Sequence, residues 1–417
     1  MDMVMTRRSR LVAGALVVAA SSGHALYPAW LALASRRRSA PVPVDPAQWP
    51  AVTVLVAAYR EGDCIAAKVH DALANGYPGP LDVMVVAEGD VETAVRAEQA
   101  GATVITADER LGKSQAVNLG FSKVTSPIVV LSDANNTLAP GAIAALVRHF
   151  GDPRVGAVAG EKVEADGGGE DLYWRFESWL KQREWRLGTT IGLVGELSAV
   201  RTDAWEPIPA DVAIDDLWAA LDLSARGYAI AYEPEAKAYE PPQYTLAQQW
   251  ERRTRNVAGA LHVLRRRRSH LGPGGGLAAA EAWGHRLVRY TVVPVAHALL
   301  LAWALRRLRT SRLARLFLLG HAVGAQSLAR KASAPAPSPS AASGDSPASG
   351  DAPAAGDSPA AGDSPDRVRA PSAGVVGRVS NALGQVVFLD AVGMAGMVRY
   401  LRGDRKTHWQ MVRHTGK

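Results

Sequence analysis

The chain has 417 residues, 48% hydrophobic and 6% aromatic, and its 47 Lys plus Arg against 40 Asp plus Glu give a formal charge of +7. That length supports one large or two modest domains with a sizeable core, and one cysteine, Cys64, excludes an internal disulfide framework and a Cys-rich metal site. A mean hydropathy of −0.03 excludes a bundle made wholly of membrane helices but leaves room for a soluble domain carrying a few.

Leu11–Ala34 is 24 residues without a charge if His24 is neutral, flanked by Arg7, Arg8 and Arg10 on one side and Arg36, Arg37 and Arg38 on the other. About 20 such residues span a bilayer core. Ala19-Ala20-Ser21 could attract a signal peptidase, but the apolar run continues past that point to a basic stop. We expect a membrane helix over 11–34.

Residues 51–240 alternate strand and helix. Strands are expected at Val52–Ala57, Leu81–Val86, Thr103–Thr106, Ile128–Leu131 and Val155–Ala159. Helices are expected at Gly62–Asn75, Val91–Ala100, Lys113–Phe121 and Pro140–Phe150. This is a mostly parallel α/β sheet with helices on both faces, in which ligands sit at the carboxyl ends of the strands. Polar residues gather there: Tyr59-Arg60-Glu61, Glu88, Asp108 and Asp133-Ala134-Asn135. Neither GxGxxG nor GxxxxGK[ST] is present, so the usual dinucleotide and P-loop readings lack their glycines.

Asp133 and Asn135 directly follow an apolar strand, where oxygen ligands suit Mg2+ or Mn2+ on a diphosphate. A helix cap or turn would use Asp-Ala-Asn-Asn equally well. Asp215-Asp216 open an apolar helical pattern and read as an N-cap or as a general base with its neighbour. Gln248–Arg255 carries Arg252, Arg253 and Arg255, and Arg265–Arg268 is a basic run whose plainest reading is a membrane-surface collar.

Leu287–Leu305 is a second apolar segment, and Leu313–Ala329 and Val375–Val398 are weaker ones, the last holding Arg378 and Asp390. The transmembrane or interfacial region thus covers 287–329, with a further span at 375–398 and a basic tail at 399–417. Between them, Lys331–Ser372 is almost wholly Ala, Pro, Ser, Gly and Asp in a six-residue repeat, which reads as a disordered linker.

Several of these segments, in this order, resemble the membrane-bound family 2 glycosyltransferases, the inverting group that includes cellulose and hyaluronan synthases and bacterial exopolysaccharide enzymes. The resemblance covers roughly residues 50–265. It rests on Val52–Glu61, on Arg110-Leu111-Gly112-Lys113 with Ala116 and Asn118, on Asp133-Ala134-Asn135, and on Gly192–Arg201. Pro209-Ala210-Asp211 through Asp215-Asp216, then Gly227-Tyr228 and Tyr232–Ala236, complete it. It implies a GT-A-type, Rossmann-like sheet flanked by transmembrane helices.

The resemblance further implies a nucleotide-sugar donor, commonly a UDP-sugar, and transfer to a lipid-linked or saccharide acceptor at the membrane. Asp216 would be the base, with Asp215 orienting it or raising its pKa. Glu88, Asp108, Lys113, Arg252 and Arg255 would hold the donor nucleotide, and Asp133 and Asn135 a Mg2+ or Mn2+ ion. Glu177, Gly195 and Glu196 would lie on the acceptor side. The chain would sit as a multi-pass protein in the inner membrane with its catalytic domain cytoplasmic, beside membrane lipids and polysaccharide-export partners.

This sequence departs from the family pattern at Asn135, in place of a second acid, and at Val194, where relatives often carry Asp. Arg252-Arg253-Thr254-Arg255-Asn256 lacks the tryptophan of processive synthases, so transfer of one or a few sugars fits at least as well as chain synthesis. A catalytically silent scaffold of a polysaccharide complex would keep this fold, but Asp133 and Asp216 are both present. A nucleotidyltransferase would want a Gly- and Lys-rich loop where Tyr59-Arg60-Glu61-Gly62 stands. A nucleic-acid partner is not expected, since the basic residues lack interleaved aromatics and any helix-turn-helix or zinc spacing.

Overall fold

The computed structural model describes residues 7–107, 109–164, 171–240, 245–333 and 375–404. Helix α1 (Arg7–Ser21) runs through a π-helical turn at Ser22–Leu26 into α2 (Tyr27–Ala34). The central domain follows as β1 (Val52–Tyr59), α3 (Gly62–Leu73), β2 (Leu81–Glu88), α4 (Val91–Gln99), β3 (Thr103–Ala107), α5 (Lys113–Phe121) and β4 (Ile128–Ser132). Next come β5 (Thr137–Leu138), α6 (Ala142–Val147), β6 (Val155–Glu164), α7 (Asp171–Leu187), β7 (Leu197–Arg201), α8 (Asp215–Ala225) and β8 (Ala229–Glu240). Helix α9 (Leu246–Arg266) leads to α10 (Gly276–Glu281), α11 (Val288–Tyr290), α12 (Val292–Arg306), α13 (Arg312–Ala332) and α14 (Val375–Leu401).

The sheet has eight strands in the order β3-β2-β1-β4-β7-β6-β8-β5. Strands β1 to β4 are parallel, whereas β7 is antiparallel to both its neighbours, so the sheet is mostly parallel but mixed. The inner strands are near-continuous apolar runs because helices cover both faces. Val54, Val56, Val85, Val86, Val129 and Val130 are fully buried, each contributing about 1.5–3 kcal/mol. The edge strand β3 (TVITA) has no fully buried residue.

Register positions the site. Tyr59 pairs with Glu88 at the ends of β1 and β2, and Ser132 faces Leu197 across the antiparallel β4–β7 ladder. The residues one step beyond that last pair, Asp133 and Glu196, therefore meet at the same edge. The chain winds outward from β1 to β3 and returns to β4 beside β1. Ligands enter such sheets at that reversal.

Every expected strand and helix of the central domain is present, with small shifts. The helix expected from Pro140 begins at Ala142, because Gly141 adopts φ +74 ahead of it. Its last turn, Arg148–Gly151, tightens to a 3-10 turn.

Among the described residues, three segments are long and apolar enough to cross a membrane: Leu11–Ala34, Pro273–Arg306 and Val376–Leu401. The middle one extends the segment expected at Leu287–Leu305, and α14 qualifies despite Arg378, Asp390 and Arg399. Helix α13 is formed but is not among these three. The linker expected from Lys331 starts later, since α13 reaches Ala332. The remainder of that linker, and the tail beyond Asp404, lie outside the described residues.

Candidate active site

A cavity of about 100 Å³ opens at the carboxyl ends of β1, β2 and β4. It is lined by Tyr59, Glu61, Glu88, Arg110, Gly112 and Lys113, and by Asp133, Asn135, Glu196, Glu240 and Arg252. The β1 corner is strained: Arg60 has φ +56, the only non-glycine with positive φ among the described residues. Gly89 is required beside it. With φ +81, a Cβ there would come within 2.5 Å of Tyr59 Cε2. The Arg110 guanidinium sits 4.1 Å from the centre of the same ring, and the Gly112 amide donates to Glu88 Oε2 at 3.2 Å.

Three carboxylates, Asp133, Glu196 and Glu240, each offer an oxygen within 4.8 Å of the others. Two ammonium groups share them. Lys113 Nζ donates to Asp133 Oδ1 at 2.6 Å and to the Gly195 carbonyl at 3.3 Å. Lys162 Nζ bridges Glu196 Oε1 at 2.6 Å and Glu240 Oε2 at 2.5 Å.

Burial alone would raise Glu196, but Lys162 outweighs it and holds the carboxyl down to about 2. Burial wins at Glu240, pushed up to about 6 against Lys162. At Asp133 burial pushes upward while Lys113 pulls down. Burial followed by the Asp133 charge lifts Glu61 to about 8. Hard oxygen donors so grouped fit Mg2+ or Mn2+.

The turn that carries Asp133 is fixed from below. Asn136 is buried and donates to the Glu196 carbonyl at 2.9 Å, while its Oδ1 accepts from Lys68 Nζ at 2.7 Å and from the Ser132 hydroxyl at 3.1 Å. Ala134 is buried and turned away from solvent.

Asp215 and Asp216 open α8 and line a smaller hollow, whose other walls include Lys113, Ser132, Leu193 and Gly195. Lys113 thus borders both spaces. A helix N-terminus favours negative charge, and Asp216 Oδ1 accepts the Leu217 amide at 2.6 Å. Burial first, then the Asp215 charge, still push Asp216 up to about 7, against Arg286 and that amide.

The loop before α8 is held by α5. Asn118 donates to the Ile208 carbonyl at 2.8 Å and accepts its amide at 2.9 Å, Gln115 donates to the same carbonyl at 2.9 Å, and Ser114 donates to the Val212 carbonyl at 2.9 Å. The Asn118 of the sequence motif therefore positions the acidic pair rather than touching the cavity.

Among the expected donor residues, Glu88, Lys113 and Arg252 line the cavity together with Asp133 and Asn135. Arg255 is half-buried and is not among the lining residues. Asp108 lies outside the described residues.

Glu196, expected on the acceptor side, stands beside Asp133 because the β4–β7 register puts it there. Glu177, expected on the same side, is buried away from the cavity. It accepts from Arg289 at 2.6 Å and Arg286 at 3.1 Å, and its Oε2 lies 2.9 Å from His285 Nε2. Arg289 and Arg286, with the His285 hydrogen bond, outweigh burial and hold its carboxyl well below the usual carboxylate range.

Sequence reasoning missed Glu240 and Lys162. Glu240 closes β8 just before Pro241-Pro242, but β8 also carries Glu233, Glu235 and Lys237, so nothing local singled it out. Lys162 is likewise one lysine in a strand.

Comparison with known proteins agrees with this geometry. The family model described as "Glycosyltransferase like family 2" matches residues 50–259, half of the chain. A poly-beta-1,6-N-acetyl-D-glucosamine synthase of Staphylococcus aureus (strain MSSA476) is 24% identical over 233 residues, covering 52% of this chain and 56% of its own. An N-acetylglucosaminyltransferase of Rhizobium sp. (strain N33) is 26% identical over 217 residues, covering 46% and 48%. The chain thus spans about half the length of these curated relatives.

Among solved structures, the mannosyltransferase PcManGT from Pyrobaculum calidifontis, in complex with GDP-Man and Mn2+, superposes with a TM-score of 0.69. The identity is 22%, covering 94% of this chain and 99% of that one, a likeness of fold. The sheet is accordingly of the GT-A type, and the chain belongs to glycosyltransferase family 2.

Proposed function

We propose that the chain moves a sugar, with inversion, from a nucleotide-sugar donor to a lipid-linked or saccharide acceptor at a membrane. The observation that carries this reading is the shared edge. Asp133, Glu196 and Glu240 converge at the sheet reversal, and the Asp215-Asp216 pair borders the adjoining hollow across Lys113.

In this mechanism the acceptor hydroxyl oxygen forms a bond to the anomeric carbon and gives its proton to an Asp216 carboxylate oxygen. The bond from that carbon to the diphosphate oxygen breaks on the opposite face, and its electron pair leaves with the nucleoside diphosphate. Lys113 and Arg252 face the developing negative charge. A divalent cation on Asp133, with Glu196, Glu240 and Asn135 around it, would supply further neutralisation of the diphosphate. Tyr59, Glu88 and Arg110 offer a stacking and hydrogen-bonding wall for the nucleoside.

Three membrane crossings fit this reading. Helices α12 and α14 pack antiparallel, since Gly393 meets Pro294 while Asp390 meets His297. The last turns of α14 return to the catalytic domain, where Gly396 meets Val257 and Arg399 donates to Glu251 at 2.8 Å. Nucleotide sugars are cytosolic, so the domain would face the cytoplasm with the N-terminus outside. Arg402 then also falls inside, in keeping with the positive-inside tendency. Partners in polysaccharide export belong to the same proposal.

The test is nucleotide release and sugar transfer by the detergent-solubilised full chain, screened over UDP- and GDP-sugars with Mg2+ or Mn2+. Turnover of one donor, abolished by chelator and with transfer lost in Asp216→Asn, is expected. Full transfer by Asp216→Asn would remove Asp216 as the base.

A further inference from the structure

The basic run Arg265–Arg268 divides by geometry into two pairs. Arg266 is tied to Asp211, and Arg267 donates to Asp222 at 2.5 Å and stacks on Trp218 with its guanidinium 4.0 Å from the ring centre. Arg265 and Arg268 remain exposed. Arg265 reaches only the Tyr400 hydroxyl, at 3.5 Å, and Arg268 has no partner among the described residues. The two carboxylates that could have neutralised them are already taken.

These two arginines rim a groove of about 640 Å³ walled by Leu261, Leu264, Trp283, Leu287, Tyr400 and Leu401. Trp283 and Leu287 come from the candidate span Pro273–Arg306, and Tyr400 and Leu401 from Val376–Leu401. Trp283 is 48% exposed with its indole N–H fixed on the Leu271 carbonyl at 2.9 Å, and Leu401 is 75% exposed. The groove therefore opens where two spans meet the catalytic domain, at the level where Trp and Tyr sit in membrane interfaces. It joins an apolar floor to two uncompensated guanidiniums.

We propose that this groove binds an anionic phospholipid, one acyl chain along Leu261, Leu287 and Leu401 and the phosphate on Arg265 and Arg268. The size suits a single chain, and guanidinium suits phosphate oxygens. A zwitterionic lipid offers the same chain but no net negative charge to answer the two arginines. Helix α9 carries Arg265 at one end and Arg252, in the donor cavity, at the other, so the bound lipid steadies a helix that reaches the active site. This rests on the membrane placement proposed above but not on any particular donor or acceptor.

The experiment uses the delipidated full chain in detergent, titrated with dioleoylphosphatidylglycerol or dioleoylphosphatidylcholine and read by native mass spectrometry. The wild type should hold one phosphatidylglycerol far more tightly than phosphatidylcholine. Arg265→Gln with Arg268→Gln should lose that preference by roughly tenfold or more, with the melting temperature unchanged. The control Arg36→Gln with Arg37→Gln, exposed arginines elsewhere, should keep it.

Equal loss in the control, or an unchanged preference in the groove variant, would overturn the site. Displacement of the lipid by millimolar inorganic phosphate would overturn the acyl-chain half. Should the double variant fail to fold, Leu401→Asn tests the same groove from its exposed end, and undiminished lipid retention there would overturn the proposal. Membrane association that fails for every lipid would instead strike the membrane placement itself.

Discussion

Two charge clusters in this molecule both set carboxylates against basic side chains and differ in what they face. At the sheet edge three carboxylates, Asp133, Glu196 and Glu240, share two ammonium groups, Lys113 and Lys162, and face a cavity. Beneath α7, Glu177 and Glu184 meet His285, Arg286 and Arg289, and Glu184 also accepts from Tyr27 at 2.7 Å and Thr190 at 2.5 Å. The first cluster opens to the cavity, where Arg252 joins it. The second is closed, with Glu281 buried beside Glu184, and it fastens α7 to the membrane-side helices. A cluster open to a cavity can receive a cation and a diphosphate; a closed one can only hold its parts together.

The comparison breaks if the two clusters respond alike to loss of a carboxylate. Asp133→Ala should lower donor turnover by roughly 10³-fold, several kcal/mol of charge stabilisation, while the melting temperature barely moves. Glu177→Ala should do the reverse. Stranding Arg286, Arg289 and His285 in a buried site should cost about 3–5 kcal/mol of stability, read as a fall in melting temperature in detergent. A stable, inactive Glu177→Ala would return that residue to the acceptor path expected from sequence.

A smaller effect sharpens the open cluster. Glu240→Gln keeps the shape and removes one charge of the three. Half-maximal activity should then need roughly 10–100-fold more Mn2+, by analogy with the loss of supporting groups around metals. An unchanged Mn2+ titration would leave Glu240 as a partner of Lys162 alone.

Sequence reached the two clusters unequally, for physical reasons. Apolar strands and their terminal polar residues are local signals, so Glu88, Asp133 and the acidic pair at 215–216 were legible. Glu240 and Lys162 join the site through strand pairings between β6, β7 and β8, which no local pattern encodes. Glu177 sat in an amphipathic stretch, and only the fold reveals His285, Arg286 and Arg289, more than 100 residues later, that claim it. The apolar periodicity of Val375–Val398 was blurred by Asp390, whose carboxylate is answered by His297 Nδ1 at 2.6 Å. In each case the missing information was the partner, not the residue.

The finest test concerns the acid pair that adjoins the open cluster. Asp216 stands near 7 because burial disfavours its charge and Asp215 adds like-charge repulsion. A base must be deprotonated to accept a proton, so transfer measured as kcat/KM should rise with pH through about 7 and level off above it. Asp215→Asn removes the repulsion but not the burial. The midpoint should move to lower pH, and the plateau should fall only as far as Asp216 loses its orientation. A midpoint that stays put would mean that burial alone sets it, and loss of transfer altogether would mean that Asp215, not Asp216, takes the proton.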